Sequence, residues 1–282
     1  MQHTYYQICG LTVEIISPLR PADTQTTFRI APAPADLIVT LEPRQALSLP
    51  DAQFLGHSRD RTIWRQEQRI IRHNQDFFRP QAHMTTSYAL DDWQHVTALV
   101  RQEDWPWATD SRYLWTGLAL NQLLIHADCL LFHASYICWN GQGILFTAPS
   151  QTGKSTQANL WHQYRGAEVI NGDKAAVRLG AIPMVHSIPF SGTSGICSNR
   201  SCPLEAVVVL SQAHENTVRH MKPTEIIQAL IPNIFVEQAV GEEWSLALRL
   251  VLDLAASIPV WHLACTPDER AVRALQNALE KK

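Results

Sequence analysis

The residues best suited to chemistry lie in the run GILFTAPSQTGKSTQANLW, residues 143–161. An apolar run, a polar loop that ends in Gly153-Lys154-Ser155-Thr156 and a run with helical spacing follow one another directly. The backbone N–H groups of such a loop, together with a helix N-terminus, form a concave site for anions. A lysine at this place reaches the β- and γ-phosphates of a nucleotide, and the hydroxyl after it reaches Mg²⁺. The run therefore predicts a phosphate-binding loop.

The loop is expected to bind the triphosphate of ATP, with Mg²⁺, through consecutive residues. These are Ser150, Gln151, Thr152, Gly153, Lys154, Ser155 and Thr156. Lys154 is the expected catalytic cation, and Ser155 is an expected metal ligand. The loop departs from the pattern G-x-x-x-x-G-K-[ST] at its first position, which is Ala148. Gln151 occupies a position where a further glycine is expected.

A second element, GAEVINGDKAAVR at residues 166–178, places a short apolar strand before Asn171-Gly172-Asp173. A carboxylate at the end of a strand beside a phosphate loop can hold Mg²⁺ or accept a proton from an attacking hydroxyl. Asn-Gly-Asp also favours an ordinary turn. Because the phosphate loop comes shortly before it, we predict that Asp173 is a catalytic residue and a metal ligand.

A third candidate is His133, within the apolar run LLFHASYICW at residues 130–139. A histidine in an apolar strand is most often a core residue. Here Asn140-Gly141 separates this run from the strand that enters the phosphate loop, and Asn-Gly between apolar runs is a strong hairpin signal. The hairpin would bring His133 toward the loop, so we count it among the catalytic residues.

Together these motifs resemble the catalytic domain of HPr kinase/phosphorylase, whose fold is related to ATP-dependent phosphoenolpyruvate carboxykinase. The phrases LLFHAS, LFTAPS, GKSTQANLW and GAEVINGDKAAVR are similar to those of HPr-kinase-like proteins of bacteria, including the kinases of lasso-peptide pathways. The resemblance covers residues 111–282 and is specific between 130 and 178. It implies that His133 lies near the transferred phosphate and that Lys154 and Ser155 are the loop lysine and the metal-binding serine. It also implies that Asp173 accepts the proton of a substrate serine.

Two features of that family are absent from the sequence. The family has two adjacent aspartates where this chain has Gly172-Asp173. Its Glu-x-Arg-Gly-x-Gly segment corresponds here to FSGTSG, residues 190–195, which lacks both the metal-binding acid and the arginine. The second metal ligand therefore stays open between Asn171 and water, and the phosphorylase activity of the family is not expected.

The surrounding segment, residues 186–203, is small, polar and glycine-bearing. An ordinary loop has this composition. A substrate loop is the equal alternative, because several side chains offer donors suited to phosphate or acceptor contacts. Those side chains are Ser191, Thr193, Ser194 and Arg200.

Two regions are predicted to position these residues in an α/β (α+β) fold. Residues 1–110 contain short strand patterns punctuated by prolines, which predicts a β-rich N-terminal region. Acceptor binding is a role open to it, since a peptide strand can add to a sheet edge. Residues 111–282 are predicted to form the HPr-kinase-like catalytic domain with the phosphate loop. Within it we expect one helix over 111–127 and a last helix from Pro267, capped by Thr266.

Composition limits the class of protein. The 282 residues include 23 Lys+Arg and 26 Asp+Glu, for a net charge of −3, which lacks the electrostatic footprint of a nucleic-acid binder. The sequence opens without a secretory pattern, and no apolar run is long enough for a membrane helix. The six cysteines lack the paired spacing of a zinc site. We expect a cytoplasmic protein without nucleic-acid or membrane partners, and homo-oligomerisation stays open.

The leading hypothesis is an ATP- and Mg²⁺-dependent kinase. It would transfer the γ-phosphoryl group to a serine-type hydroxyl of a peptide, protein or small molecule, with Asp173 as proton acceptor. One alternative is a PEP-carboxykinase-like enzyme, which needs several arginines for an acidic substrate. Between residues 130 and 200 the arginines are Arg165, Arg178 and Arg200. The other alternative is a non-catalytic protein that binds a nucleotide or a peptide, which Ala148 and the missing acid favour.

Overall fold

The computed structural model describes residues 1–20, 26–58, 61–75, 83–189 and 197–281. They form two compact units, Met1–His126 with Glu237–Trp244, and Ala127–Val236 with Ser245–Lys282. Both units combine β-sheet with helices, so the predicted mixed α/β class is confirmed. The assignment of residues 111–282 to one catalytic domain stays a prediction.

Within the described residues, the first unit is built on a nine-stranded sheet. Its strands are β1 (Gln2–Ile8), β2 (Leu11–Ser17), β3 (Arg29–Ile30), β4 (Leu37–Arg44), β5 (Gln53–Ser58), β6 (Arg61–Gln66), β7 (Arg69–Gln75), β8 (His83–Ala89) and β9 (Asp92–Arg101). Their order is β3-β1-β2-β4-β9-β8-β7-β6-β5. In β2, Leu11, Val13 and Ile15 are buried and the residues between them are partly exposed. This two-residue period is that of a strand with one face in the core.

Three α-helices of the described chain follow this sheet, namely α1 (Trp105–Ala108), α2 (Ser111–Gly117) and α3 (Leu120–Ile125). The prediction of one helix over residues 111–127 is therefore wrong. Gly117 packs closely on β8: a Cβ at this position would lie 3.0 Å from Sδ of Met84. Its carbonyl oxygen accepts a hydrogen bond from Thr86 Oγ1 at 3.1 Å. Ala119 then adopts φ +52°, outside the helical region, and a second helix starts.

An ion network centred on Arg72 lies inside the first unit. Arg72 is 0% exposed. Its guanidinium donates to Glu237 Oε2 at 2.7 Å, to Glu243 Oε2 at 2.6 Å and to the Tyr88 hydroxyl at 2.6 Å. A buried guanidinium is costly unless its donors are satisfied. Both carboxylates come from the segment 237–244, so this unit is completed by residues that lie far along the chain.

The second unit contains strands and helices in mixed order. Its elements are β10 (Cys129–Trp139), β11 (Gln142–Thr147), α4 (Lys154–Arg165), β12 (Glu168–Asn171), β13 (Lys174–Arg178), β14 (Met184–His186), β15 (Ser201–Gln212), β16 (Thr217–His220), α5 (Pro223–Leu230), α6 (Gly241–Ser257), β17 (Val260–Cys265) and α7 (Glu269–Leu279). Helix α6 begins in the segment assigned to the first unit and continues into the second.

The sheet of the second unit brings the predicted phosphate loop to one edge. The predicted hairpin is present: β10 and β11 pair antiparallel, and Asn140 and Gly141 have φ of +49° and +78°, as a tight hairpin turn requires. Strand β11 pairs in parallel with β15, and β15 with β17. The carboxyl ends of these three strands therefore share an edge, and the loop before α4 leaves from it. Ligands of open α/β sheets bind outside such an edge.

An apolar cluster fixes α4 and α7 to this sheet. Its buried members include Phe146 of β11, Trp161 of α4, Leu210 of β15 and Leu275 of α7. Helix α4 ends at Gly166, where φ is +66° and the N–H donates to the carbonyl oxygen of His162 at 3.0 Å. This left-handed glycine is a common way to end a helix.

The N-terminus of α7 corrects a second expectation. The predicted cap, Thr266, is not the capping residue. Asp268 caps the helix instead, because its carboxylate accepts the N–H of Arg270 at 2.9 Å. Thr266 Oγ1 donates to this carboxylate at 3.0 Å and so supports the cap. Helix α7 begins at Glu269, two residues after the predicted start.

The helices and the cysteines can be compared with what the composition predicted. In the described part of the chain, no helix combines the length and the apolar character needed to cross a membrane. Among the described cysteines no disulfide is formed, and the sulfur atoms of Cys138 and Cys202 lie 2.7 Å apart.

The Arg72 network predicts a large effect of Arg72→Met on stability. The variant leaves the buried Glu243 carboxylate without its guanidinium, and we expect the free energy of unfolding to fall by roughly 3–5 kcal/mol. Urea unfolding measures it. The matched control is Arg65→Met. The guanidinium of Arg65 lies 2.6 Å from the carboxylate of Glu242, and the Glu242 side chain is 54% exposed. That pair should contribute at most about 1 kcal/mol. Equal losses in the two variants would contradict the importance of the buried network.

The same network predicts a loss of stability in acid. Burial raises the pKa of Glu243, but the Arg72 charge and hydrogen bonds from His126 and Tyr88 outweigh it and hold the pKa below the ordinary value of 4.5. This stabilisation is present above the unfolded pKa and is lost as pH falls through the lower folded pKa. The stability difference between the wild type and Glu243→Gln should therefore shrink on acidification. Urea unfolding from neutral pH to about pH 3 tests this, and a constant difference would contradict it.

Candidate functional site

The loop between β11 and α4 turns through two left-handed residues. Gln151 has φ +64° and Gly153 has φ +116°. Residue 151 is the position at which the sequence suggested a further glycine, and its backbone conformation is one that glycine adopts without cost. The carbonyl oxygen of Gln151 accepts a hydrogen bond from Gln212 Nε2 at 3.4 Å. The turn is thus anchored at the end of β15.

The departure from the consensus at Ala148 has a structural reason. Ala148 is buried and belongs to the apolar cluster under α4. Its methyl group therefore contributes to packing, and its carbonyl oxygen faces the loop, where it accepts a hydrogen bond from Lys154 Nζ. A glycine is not needed at this end of the loop.

Lys154 is the first residue of α4, and it is only 7% exposed. Its Nζ donates to the carbonyl oxygens of Ala148 at 2.9 Å and Pro149 at 3.2 Å. Burial lowers the pKa of the ammonium group, and the negative charge of Asp173 raises it in part. The first turn of a helix carries partial positive charge, which adds to that of the ammonium. An anion is the ligand that such a place favours.

The carbonyl oxygen of Gly172 joins the loop to the second motif. It accepts hydrogen bonds from Ser155 Oγ at 3.2 Å and from Ser135 Oγ at 2.8 Å. One serine lies in the first turn of α4, and the other lies in β10. The start of the helix, the hairpin strand and the turn that carries Asp173 are therefore held together at one atom.

Asp173 lies in the turn between β12 and β13. The buried Asn171 holds this turn, because its Oδ1 accepts the N–H groups of Asp173 at 3.1 Å and Lys174 at 3.0 Å. An asparagine used in this way shapes a turn. Asn171, which the sequence offered as a second metal ligand, thus uses its side-chain oxygen for the backbone. The carbonyl oxygen of Asp173 accepts the N–H of Ala134 at 2.9 Å.

The Asp173 carboxylate faces two basic side chains. Its Oδ1 lies 3.5 Å from Nδ1 of His133, and its Oδ2 lies 3.9 Å from Nζ of Lys174. All three side chains are partly exposed. The structure thus brings His133 and Asp173 together as the sequence suggested, and it adds Lys174, which the sequence analysis did not select. The position of Lys174 directly after Asp173 in the sequence was the signal from which its place in the site could have been predicted.

Phe235 is a further residue that the sequence analysis missed. Its ring lies edge-on to that of His133, with centroids 6.1 Å apart, and the Lys174 Nζ lies 5.5 Å from its centroid. The N–H of Phe235 donates to the carbonyl oxygen of Leu131 in β10 at 2.9 Å. No local pattern links Phe235 to residues that lie so far away in the sequence.

The remaining predicted residues have less distinctive surroundings. Ser150 and Thr156 are exposed beside the loop. Thr152 is partly buried and donates its N–H to the carbonyl oxygen of Pro149 at 3.4 Å. Arg200 forms an exposed ion pair with Glu168. The predicted donors Ser191, Thr193 and Ser194, together with the whole FSGTSG segment, lie outside the described residues.

The donor set fits Mg²⁺ held partly by substrate. Ser155 supplies a hydroxyl and Asp173 a carboxylate, both of which are hard oxygen ligands. In the part of the chain that the structure describes, no group of three or more histidine, cysteine or acidic side chains could hold a metal by itself. Mg²⁺ commonly binds through one or two protein oxygens, with substrate phosphates and water completing its shell.

Comparison with known proteins gives one matching family and a likeness to 47 chains of solved structures. The family described as "SynChlorMet cassette protein ScmC" matches residues 114–279, more than half of the chain. No curated protein matches the chain. Among solved structures, the chain is similar to the HPr(Ser) kinase/phosphatase from Coxiella burnetii at 12% identity and a TM-score of 0.33. That match covers 54% of this chain and 97% of the other. The solved protein bears the name of the class that the motifs resemble.

The loop geometry predicts that Gly153→Ala weakens nucleotide binding. A Cβ at residue 153 would meet nothing within 4 Å, so the cost arises from φ +116° itself. Alanine favours relaxation of the unliganded loop away from this conformation, and restoring it on binding costs about 1–2 kcal/mol, so we expect an affinity for ATP that is roughly tenfold lower. Titration calorimetry measures it. The control is Gly180→Ala, where a Cβ would approach nothing closer than Ile182 O at 4.0 Å. Unchanged binding by Gly153→Ala would argue against a role for this turn.

Proposed function

The chain belongs to the family described as SynChlorMet cassette protein ScmC, and for this member we propose the activity of an ATP- and Mg²⁺-dependent kinase. The acceptor is a serine-type hydroxyl on a peptide, a protein or a small molecule. The proposal assigns Lys154, Asp173 and His133 to catalysis and residues 150–156 to binding of the triphosphate. It assigns Ser155 and Asp173 to the metal.

One observation carries the proposal. A buried lysine begins a helix at the carboxyl edge of parallel strands, and the next residue, Ser155, donates a hydrogen bond to the carbonyl oxygen of Gly172 in the turn of Asp173. The anion site and the carboxylate are therefore parts of one hydrogen-bonded structure. Binding of phosphate beside a proton acceptor is the arrangement that phosphoryl transfer to a hydroxyl requires.

The residues would act as follows. The acceptor oxygen forms a bond to the γ-phosphorus, the bond from that phosphorus to the β,γ-bridging oxygen breaks, and the acceptor proton passes to the Asp173 carboxylate. Lys154 stabilises negative charge on the phosphoryl oxygens and on the departing ADP. His133, beside Asp173, lies where it can orient the carboxylate. Mg²⁺, when bound, neutralises charge on the β- and γ-phosphates.

The arginines support a kinase over the PEP-carboxykinase-like alternative. An enzyme acting on oxaloacetate or phosphoenolpyruvate needs arginines for the substrate carboxylates. The guanidinium of Arg165 donates a hydrogen bond to the side-chain oxygen of Gln276 and lies 3.4 Å from the Glu269 carboxylate. Arg200 forms an ion pair with Glu168. Two of the three arginines considered from the sequence are thus occupied by partners within the chain.

The direct test is incubation of the protein with ATP, Mg²⁺ and candidate acceptors chosen from the products of neighbouring genes. Mass spectrometry should detect an acceptor heavier by one phosphoryl group, and the added group should map to a hydroxyl. Release of CO₂ from oxaloacetate would instead support the carboxykinase-like alternative. Binding of ATP without transfer to any acceptor would overturn the kinase and support a non-catalytic role.

Substitutions in the two motifs should separate binding from transfer. Asp173→Asn removes the proton acceptor but keeps the shape of the turn, so we expect transfer to be lost while ATP still binds. Lys154→Ala should lower turnover by ~10² or more, since it removes a cation from the developing charge. The rate of phosphoryl transfer and calorimetric ATP binding are measured together.

The matched controls for these variants are exposed residues outside the site, Asp253→Asn and Lys281→Ala. Both should retain the turnover of the wild type. Full activity of Asp173→Asn would exclude Asp173 as the proton acceptor, and full activity of Lys154→Ala would exclude Lys154 as the catalytic cation.

A further inference from the structure

The contacts of Phe235 set it apart from an ordinary core residue. It is only partly buried, yet its ring contacts both basic side chains that flank the Asp173 carboxylate. His133 meets the ring edge-on, with an interplanar angle of 79°, and the Lys174 Nζ lies 5.5 Å from the ring centroid. One aromatic side chain thus lies against the partners of both carboxylate oxygens.

The flexibility of the lysine side chain explains why Lys174 needs such a contact. Lys174 begins β13, and Asp173 lies in the turn directly before it. Ordering a long lysine side chain beside the neighbouring carboxylate costs side-chain entropy. The face of Phe235 offers a cation–π contact that offsets this cost.

Phe235 itself is held by the backbone. Ile234 forms an isolated antiparallel bridge with Phe132, and the N–H of Phe235 donates to the carbonyl oxygen of Leu131 at 2.9 Å. Both partners lie in β10, the strand that also carries His133. The ring is consequently fixed to the same strand as one of the two side chains that it contacts.

We propose that Phe235 is a positioning residue that holds Lys174 and His133 on the two oxygens of the Asp173 carboxylate. The inference rests on the proposed kinase function. The Gly172-Asp173 turn of this chain carries a single carboxylate. Lys174 then supplies a second cation beside that carboxylate, in addition to Lys154. A fixed cation beside the reacting groups stabilises charge that develops during transfer, and a mobile one does so poorly. Phe235 acts through these neighbours and is not itself a catalytic residue.

Variants of the ring and of the cation test this role. Phe235→Leu keeps an apolar side chain but removes the aromatic face, so kcat should fall by about tenfold while KM for ATP stays unchanged. Phe235→Tyr keeps the face and should restore most of the rate. Lys174→Met should lower kcat to a similar extent, and Lys174→Arg less. In the double variant Phe235→Leu/Lys174→Met the two losses should not add, because both remove the same interaction.

A second measurement reports the contact without relying on activity. Reductive methylation with ¹³C labels the lysine amines, and the Lys174 resonance is assigned by its absence in Lys174→Arg. The ring of Phe235 should shift this resonance upfield in the wild type and in Phe235→Tyr, but not in Phe235→Leu. Tyr164→Leu removes an exposed aromatic side chain of α4 and serves as the control for both measurements.

The outcomes separate the inference from the proposed function. An unshifted Lys174 resonance in the wild type would overturn the contact. A shifted resonance with unchanged kcat in Phe235→Leu, or additive losses in the double variant, would overturn the positioning role while leaving the kinase intact. Absence of transfer by the wild type with every acceptor would overturn the proposed function, and the positioning role with it.

Discussion

The candidate site depends on one carbonyl oxygen, that of Gly172. Two serine hydroxyls donate to it, Ser155 from the start of α4 and Ser135 from the buried part of β10. A strand, a helix and a turn are thereby held in register by polar contacts to one buried carbonyl group. The same contacts fix how far the loop lysine lies from Asp173. Anion binding and proton transfer can be coupled only if that separation is constant.

Positive charge in this molecule is local. The chain as a whole carries a net charge of −3, so its overall field does not attract an anion. Local positive charge comes from Lys154 and the N-terminal turn of α4, and the turn after β12 adds Lys174. Because Lys154 is nearly buried, salt screens its charge less than it screens the charge of an exposed lysine. A site of this kind recognises an anion through direct contacts and not through long-range electrostatic steering of the anion toward the protein.

The sequence predicted those features that depend on neighbouring residues. The hairpin at Asn140-Gly141 and the strand before the loop follow from turn chemistry and apolar runs, and both are present. The start of α7 was misplaced because two residues on either side of Pro267, Thr266 and Asp268, can each cap a helix. In the structure Asp268 accepts the N–H of Arg270, and Thr266 donates to Asp268 instead of to the helix.

Features set by distant contacts could not be predicted in this way. The helix break at Gly117 depends on contacts with Met84 and Thr86 of strand β8. Phe235 reaches the candidate site through a backbone bridge to β10. Arg72 has the same kind of dependence, since its two glutamates enter the first unit from residues 237–244. During synthesis the N-terminal sheet therefore leaves the ribosome long before its guanidinium has carboxylate partners, and this unit can reach its final state only after most of the chain has been translated.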